Sequence, residues 1–272
     1  MPFEANLSSS IHPDEKRPMA TTTARPFLKW AGGKTQLLDA FTARVPRELA
    51  EGTLPVFVEP FMGGGGAVYF HFNSTFAFRE CHLFDINEDL VLAYTVVKND
   101  VSALIDYLRG VEDEFLSKDD AGRRDYYYAV REAFNREKKE IDFAGYGDAW
   151  VERAGRFIFL NRTCFNGLYR VNSRGGGFNV PFGRYKTPKI LHEEVLLTDS
   201  LAFRNTTIHL GDFTQAEPYI SKDSFVYFDP PYRPLNQTSS FTQYSKNRFS
   251  DEEQRRLGGA FYARCDAKGG RD

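Results

Sequence analysis

Val56, Phe57 and Val58 form a short β-branched and aromatic run that opens onto Glu59, Pro60, Phe61, Met62 and then four consecutive glycines. Ala67 to Phe72 follows with the composition of a helix start, so the stretch reads as strand, glycine loop, helix. The arrangement recurs along the chain. His82 to Phe84 runs into Asp85 ahead of Leu90 to Leu108, whose apolar spacing of three and four predicts a helix. Thr206 to Leu210 ends in Gly211 and Asp212, and Phe225 to Phe228 ends in Asp229, Pro230, Pro231 and Tyr232. Strands that alternate with helices and end in Gly, Pro or Asp loops predict an open α/β sheet with ligands at the carboxyl ends of its strands. Between these strands, Arg124 to Lys139 and Ala154 to Leu160 predict helices, the second one buried. Ser250 with Glu253 predicts a capping box for a closing helix to about Cys265. Residues 1–25 lack apolar periodicity and read as a flexible extension. Residues 26–99 and 204–272 then form the sheet domain, and 100–203 an inserted, mainly helical lobe.

A chain of 272 residues with 42% hydrophobic content supports a sizeable core. No stretch reaches the roughly twenty apolar residues needed to span a bilayer, and the N-terminus carries no compact apolar segment. These features predict a cytoplasmic protein without a membrane partner. Cys81, Cys164 and Cys265 are too scattered for a disulfide framework or a metal cluster. The net charge of −2 gives no sign of a polyanion partner, but its distribution does. From Arg153 to Lys189 there are eight basic residues (Arg153, Arg156, Arg162, Arg170, Arg174, Arg184, Lys186, Lys189) and no Asp or Glu. Phe165, Asn166, Tyr169, Asn172, Phe178, Asn179, Phe182 and Tyr185 are interleaved with them. Such a mixture neutralises phosphates, stacks on bases and bonds to base edges, although a solvated basic face has similar composition.

FLKWAGGKT, residues 27–35, ends in the Walker order Gly33, Lys34, Thr35, but the glycine that a phosphate loop needs five positions earlier is Leu28. Nucleotide hydrolysis is therefore a poor reading. In the glycine loop, a ligand can approach backbone where a Cβ would collide. Asp85 follows Gly63 by 22 residues, near the offset at which an acid binds the ribose of an adenosine cofactor. The third glycine of a dinucleotide fingerprint is absent in either frame, which disfavours NAD. In DPPY the prolines stiffen a turn at a strand end, so that the Asp229 carboxylate and the Pro230 carbonyl become adjacent acceptors. Such a pair suits the amino group of a planar base, with Tyr232 as a stacking ring. Taken alone, the glycine loop also fits a ligand-free connection, and the two prolines fit an ordinary turn.

FLKWAGGK, VEPFMGGGG, the acid in FDIN (residues 84–87), NVPFGRYK (residues 179–186) and DPPY, in this order, resemble the Dam-type DNA adenine-N6 methyltransferases. The match runs from about Pro26 to about Leu257. It implies a Rossmann-like methyltransferase sheet, S-adenosylmethionine as cofactor and double-stranded DNA as partner. By the same resemblance Trp30 and Lys34 contact the cofactor, Lys34 at its carboxylate. Glu59, Pro60, Phe61, Gly63 and Gly65 line its methionine end, Asp85 holds the ribose, and Asp212 with Phe213 borders the adenine. Asp229, Pro230, Pro231 and Tyr232 form the catalytic turn, with Asp229 as principal acceptor for N6 of a flipped adenine and also near the cofactor. The lobe becomes a target-recognition domain. In it Phe165 and Asn166 enter the duplex, Arg170 reaches a guanine edge, and Leu168, Pro181, Arg184, Lys186 and Lys189 join the DNA contact. A GATC target and a restriction-modification setting belong to the same resemblance.

Two other readings remain open at this level. Methylation of RNA or of a protein amide is one, although that broader class often carries Asn where this chain has Asp229. A non-catalytic DNA- or cofactor-binding remnant is the other. It is raised by the family pattern, in which three further strands follow the DPPY strand. On that pattern the chain is a fragment, with Phe225 to Phe228 at an unpaired apolar edge and a tendency to associate.

Overall fold

The computed structural model of the protein describes residues 23–30, 32–64, 66–76, 78–172, 176–231 and 249–267. Gly65, Arg174, Tyr232 and most of the N-terminal extension lie outside the described residues. A 3-10 turn, Thr35–Leu37, leads into α1 (Leu38–Thr42), followed by α2 (Arg47–Ala50), β1 (Val56–Glu59), α3 (Ala67–Thr75), β2 (Glu80–Asp85) and α4 (Glu88–Asn99). Then come α5 (Val101–Leu116), α6 (Asp120–Glu137), α7 (Ala149–Thr163), α8 (Glu193–Ala202), β3 (Thr206–Leu210) and β4 (Ser224–Val226). The closing helix is α9 (Asp251–Arg255), a π-helical stretch Arg256–Tyr262, and α10 (Ala263–Ala267).

All strand pairs are parallel, and the order is β3-β2-β1-β4. A parallel sheet covered on both faces needs apolar side chains on both, which is why β1 reads as an unbroken apolar run. Phe57 points into a large core with Leu83, Phe72, Phe225 and Phe159, while Val58 points into a smaller one with Phe84, Phe213, Val226 and Phe261. The chain winds from β1 through β2 to β3, then returns to place β4 on the other side of β1. That reversal creates a crevice between the carboxyl ends of β1 and β4, where open α/β sheets take their ligands. Pairing along β4 continues past Val226, because the Tyr227 N–H donates to Val58 O at 2.9 Å. Among the described residues β4 is the edge of the sheet.

The helix expected over Leu90–Leu108 is two helices. Asp100, at φ −135° and ψ 41°, breaks it. Asn and Asp compete for backbone bonds of their own, so an Asn99–Asp100 pair ends a helix readily. Asn87 begins α4 by accepting the N–H groups of Asp89 and Leu90. Helix α4 is apolar nearly all round because the sheet lies on one side and α7 and α8 on the other. Helix α7 is the spine of the inserted segment and packs against α4, α5 and α6. Helix α8, inside the span expected for the lobe, lies against α3 and α4 beside the sheet. No helix among the described residues is long and apolar enough to cross a membrane.

Candidate active site

Among the described residues, the crevice brings together Glu59, Asp85, Asp229 and Lys34 from four segments. Glu59 ends β1, Asp85 ends β2, Asp229 follows β4, and Lys34 precedes α1. Lys34 Nζ donates to Asp229 Oδ2 at 2.5 Å and to Gly32 O at 2.9 Å, with only 15% and 21% of the two side chains exposed. Asp85 accepts the Gly63 N–H at 2.9 Å and the Asn87 N–H at 2.8 Å. Its carboxylate thereby ties the glycine loop to the start of α4. Burial pushes Asp85 up to about 6, against the pull of its backbone donors. Glu59 is only 3% exposed, and burial, with Asp229 and Asp85 adding to it, pushes its carboxyl well above the usual range.

The glycines are required by what lies over them. Gly63 has φ +56°, a left-handed conformation, and a Cβ on Gly64 would sit 2.1 Å from the Trp30 indole. Trp30 in turn stacks on Tyr169 with ring centroids 5.2 Å apart and meets Phe157 edge-on. Pro60 is buried, and the Met62 N–H is held by Phe84 O at 2.8 Å. On the other flank, Phe61 and Phe213 stack at 5.3 Å, with Phe249 edge-on to Phe61 at 5.7 Å. Asp212 caps the Phe213–Tyr219 turn through Thr214 and accepts from Arg256, whose guanidinium lies over the Phe213 ring.

At the end of α7 the chain turns through Phe165–Gly167, with Asn166 at φ 54°. Phe165 is 51% exposed, Asn166 is exposed as well, and the Phe165 N–H donates to the O of exposed Pro181 at 2.8 Å. Leu168 and Arg170 are half-buried, and Arg170 Nε donates to Asn179 Oδ1 at 2.7 Å. Arg184, Lys186 and Lys189 are exposed on the following strand-like segment. Asn161 joins this face to the crevice. Its amide accepts the Lys29 N–H and donates to Lys29 O and Gly167 O, while the Lys29 ammonium lies 4.8 Å over the Tyr185 ring.

Residues 30–267 match the family model described as D12 class N6 adenine-specific DNA methyltransferase. The chain belongs to that family. It is 51% identical to the type II methyltransferase M.MjaIII of Methanocaldococcus jannaschii, over 90% of this chain and 81% of that protein. It is 39% identical to the type II methyltransferase M1.LlaDCHI of Lactococcus lactis subsp. cremoris (90% and 78%). Identity to the DNA adenine methylase of Haemophilus influenzae is 38%, over 86% of this chain and 72% of that one.

In this D12 methyltransferase, Lys34, Glu59, Asp85 and Asp229 come together in the crevice, with Trp30, Pro60 and Gly63 around them and Phe61, Asp212 and Phe213 on one flank. Pro230 is half-buried and Pro231 exposed. The basic segment divides in a way its composition conceals. Arg153 is fully buried, with Nε and Nη2 on Asp89 Oδ1 at 2.9 and 2.6 Å and Nη1 on Phe134 O. Arg156 pairs with Glu137 and Glu152, and Arg162 donates to Phe27 O. These three cations serve the core, because α7 is a buried helix whose long polar residues must find partners inside. Tyr169 and Phe178 are each 3% exposed and likewise face inward, Tyr169 bonding Asp89 at 3.0 Å. The cationic surface reduces, among the described residues, to Arg170, Arg184, Lys186 and Lys189. Two residues of this site carry little signal in sequence. Arg256 sits in an ordinary charged helix, and Phe249 precedes the N-cap Ser250, where an apolar residue commonly anchors a helix entry.

Proposed function

We propose that this methyltransferase uses S-adenosylmethionine to methylate N6 of an adenine extruded from double-stranded DNA. The observation that carries this reading is the meeting of Asp229, Lys34 and Glu59 at the switch point between β1 and β4. The crevice fits the cofactor. Glu59 Oε2 is buried with no hydrogen-bond partner, Lys34 supplies a cation for a carboxylate, and the glycine loop runs beside them under the Trp30 indole. Trp30, Lys34, Glu59 to Gly65, Asp85, Asp212 and Phe213 would hold it, and when bound it supplies a methyl group activated by a sulfonium. Asp229 and the Pro230 carbonyl accept the hydrogens of N6, which turns the nitrogen lone pair outward and gives the departing proton a carboxylate to reach. Tyr232 provides the stacking ring. No enzyme nucleophile is needed, in keeping with three buried cysteines, of which burial pushes Cys81 and Cys164 up to about 12.

Residues 100–203 serve as the target-recognition lobe. The exposed tip of Phe165, Asn166 and Pro181 enters beside the extruded base, Leu168 and Arg170 meet base edges, and Arg184, Lys186 and Lys189 meet phosphates. Extrusion costs a few kcal/mol, which these contacts offset. By resemblance the target is GATC. The test is incubation with cofactor carrying a tritiated methyl group and either plasmid DNA or paired oligonucleotides with intact and scrambled GATC, followed by mapping of the labelled base. Label on adenine N6 within GATC is expected; label on cytosine, RNA or protein would overturn the reading.

A further inference from the structure

Asn161 lies in the last turn of α7, only 1% exposed, and both ends of its amide are engaged. Its Oδ1 accepts the Lys29 N–H at 2.7 Å, while its Nδ2 donates to Lys29 O at 2.8 Å and to Gly167 O at 3.1 Å. The two residues it joins belong to different parts of the site. Lys29 precedes Trp30, whose indole lies over the glycine loop so closely that a Cβ on Gly64 would meet it at 2.1 Å. Gly167 closes the Phe165–Gly167 turn, and Phe165 and Asn166 are its exposed tip. The fit is close there too: Gly167 has φ +62°, and a Cβ on it would come within 2.5 Å of the Lys29 side chain. Arg162 adds a bond to Phe27 O, and Trp30 stacks on Tyr169. The strap from Phe27 to Trp30 is thus docked on the end of α7 while its last residue roofs the glycine loop.

We propose that Asn161 is a positioning residue through which an occupied glycine loop fixes the Phe165–Asn166 tip, so that cofactor and cognate DNA bind with positive coupling. The inference rests on the reading of function above. A cofactor held by Trp30 and the glycine loop restricts the strap, and Asn161 passes the restriction to Gly167. A tip already ordered costs less to order when the duplex arrives. A buried amide that only supports the fold behaves differently. Its loss leaves three backbone groups without their partner, which lowers stability and weakens DNA binding equally with and without cofactor. A positioning role instead changes the ratio between those two affinities.

The test uses the intact chain and S-adenosylhomocysteine, which has no methyl group to transfer. Hydrogen exchange with this ligand alone is expected to slow in peptides covering residues 164–168 as well as in those covering 27–30. Affinity for the duplex sequence labelled in the assay above, read by fluorescence anisotropy, is expected to tighten about 5- to 100-fold when the ligand saturates the chain. In Asn161→Ala the tightening should fall to about threefold or less, and protection of 164–168 should vanish while 27–30 is still protected. Coupling retained in Asn161→Ala, or duplex affinity lost equally with and without the ligand, would make Asn161 a support of the fold and overturn the proposal while leaving the reading of function standing. Unchanged exchange of 164–168 in the saturated parent would overturn it too, and that result does not depend on how the variant folds. A parent that does not bind S-adenosylhomocysteine at all would remove both.

Discussion

Lys34 and Asp229 stand 195 positions apart and meet at 2.5 Å, which no reading of either motif alone could show. The sequence singles out Asp229 because two prolines at a strand end stiffen the turn that carries it. The pairing is not visible there, since it depends on where β4 docks beside β1. If Asp229 is the acceptor for N6, Asp229→Ala should leave cofactor binding partly intact and slow methyl transfer by roughly two to four powers of ten. Binding affinity and single-turnover rate measured on the same preparation decide this, and an unchanged rate would discard the assignment. Arg170 is held by Asn179, the arrangement a base-reading guanidinium needs if it is to meet a guanine without wandering. Arg170→Ala should cost about 1 to 3 kcal/mol on the cognate duplex and much less on random DNA, whereas Lys189→Ala should weaken both alike. Competition binding on the two DNAs at fixed salt separates them; equal losses for Arg170→Ala would make it a phosphate contact.

Among the elements, α7 departs furthest from its sequence. Its apolar residues mark it as buried, yet its arginines count in sequence with the exposed cations of the same basic run, because a one-dimensional charge count ignores which partners lie across a core. Asp89 on α4 takes Arg153, Tyr169 and, at 3.4 Å, Lys138, so one buried acid ties α4, α6, α7 and the segment after the Phe165 turn together. Removing one member of a buried pair leaves the other uncompensated. Arg153→Ala should therefore destabilise folding by about 3 to 5 kcal/mol, and the Asp89→Asn, Arg153→Met double variant by clearly less. Urea unfolding of the single and double variants tests the coupling; full additivity would show that the pair does not act as a unit. The strands were read nearly to their ends because parallel strands buried on both faces leave uninterrupted apolar runs. The end of α4 at Asn99 is hidden in sequence because its apolar periodicity continues smoothly into α5.

For the whole molecule, stability should fall toward both acid and alkaline pH, for reasons on opposite sides of the fold. His82 and His209 bond one another at 3.1 Å between Phe84 and Tyr219, and burial, then His82 and Lys98, pushes His209 down from 6.5 to about 4. The unfolded chain therefore binds the proton first, and this stability is lost as pH falls from 6.5 through about 4. Asp199 accepts the Arg25 N–H at 2.9 Å but leaves Oδ2 buried without a partner, and burial raises it from 3.8 to about 8. Here the folded chain keeps the proton longer, so its contribution is whole below 3.8 and is lost as pH rises through about 8. Asp199→Asn should flatten the alkaline side and His209→Phe the acid side, each read from denaturant midpoints across that range. A variant with the same pH slope as the parent would remove that group from the account. What the sequence determined by itself was local: strand runs, the loops that end them, the acid and prolines of the turn after β4, and the order of motifs that marks the family. Those features depend on neighbours a few residues away, and so they survive in one dimension. Only the tertiary structure decided which charges face solvent and which face one another, because burial and pairing are set by segments distant in sequence, 64 positions for Arg153 and Asp89 and 195 for Lys34 and Asp229, meeting across a common core.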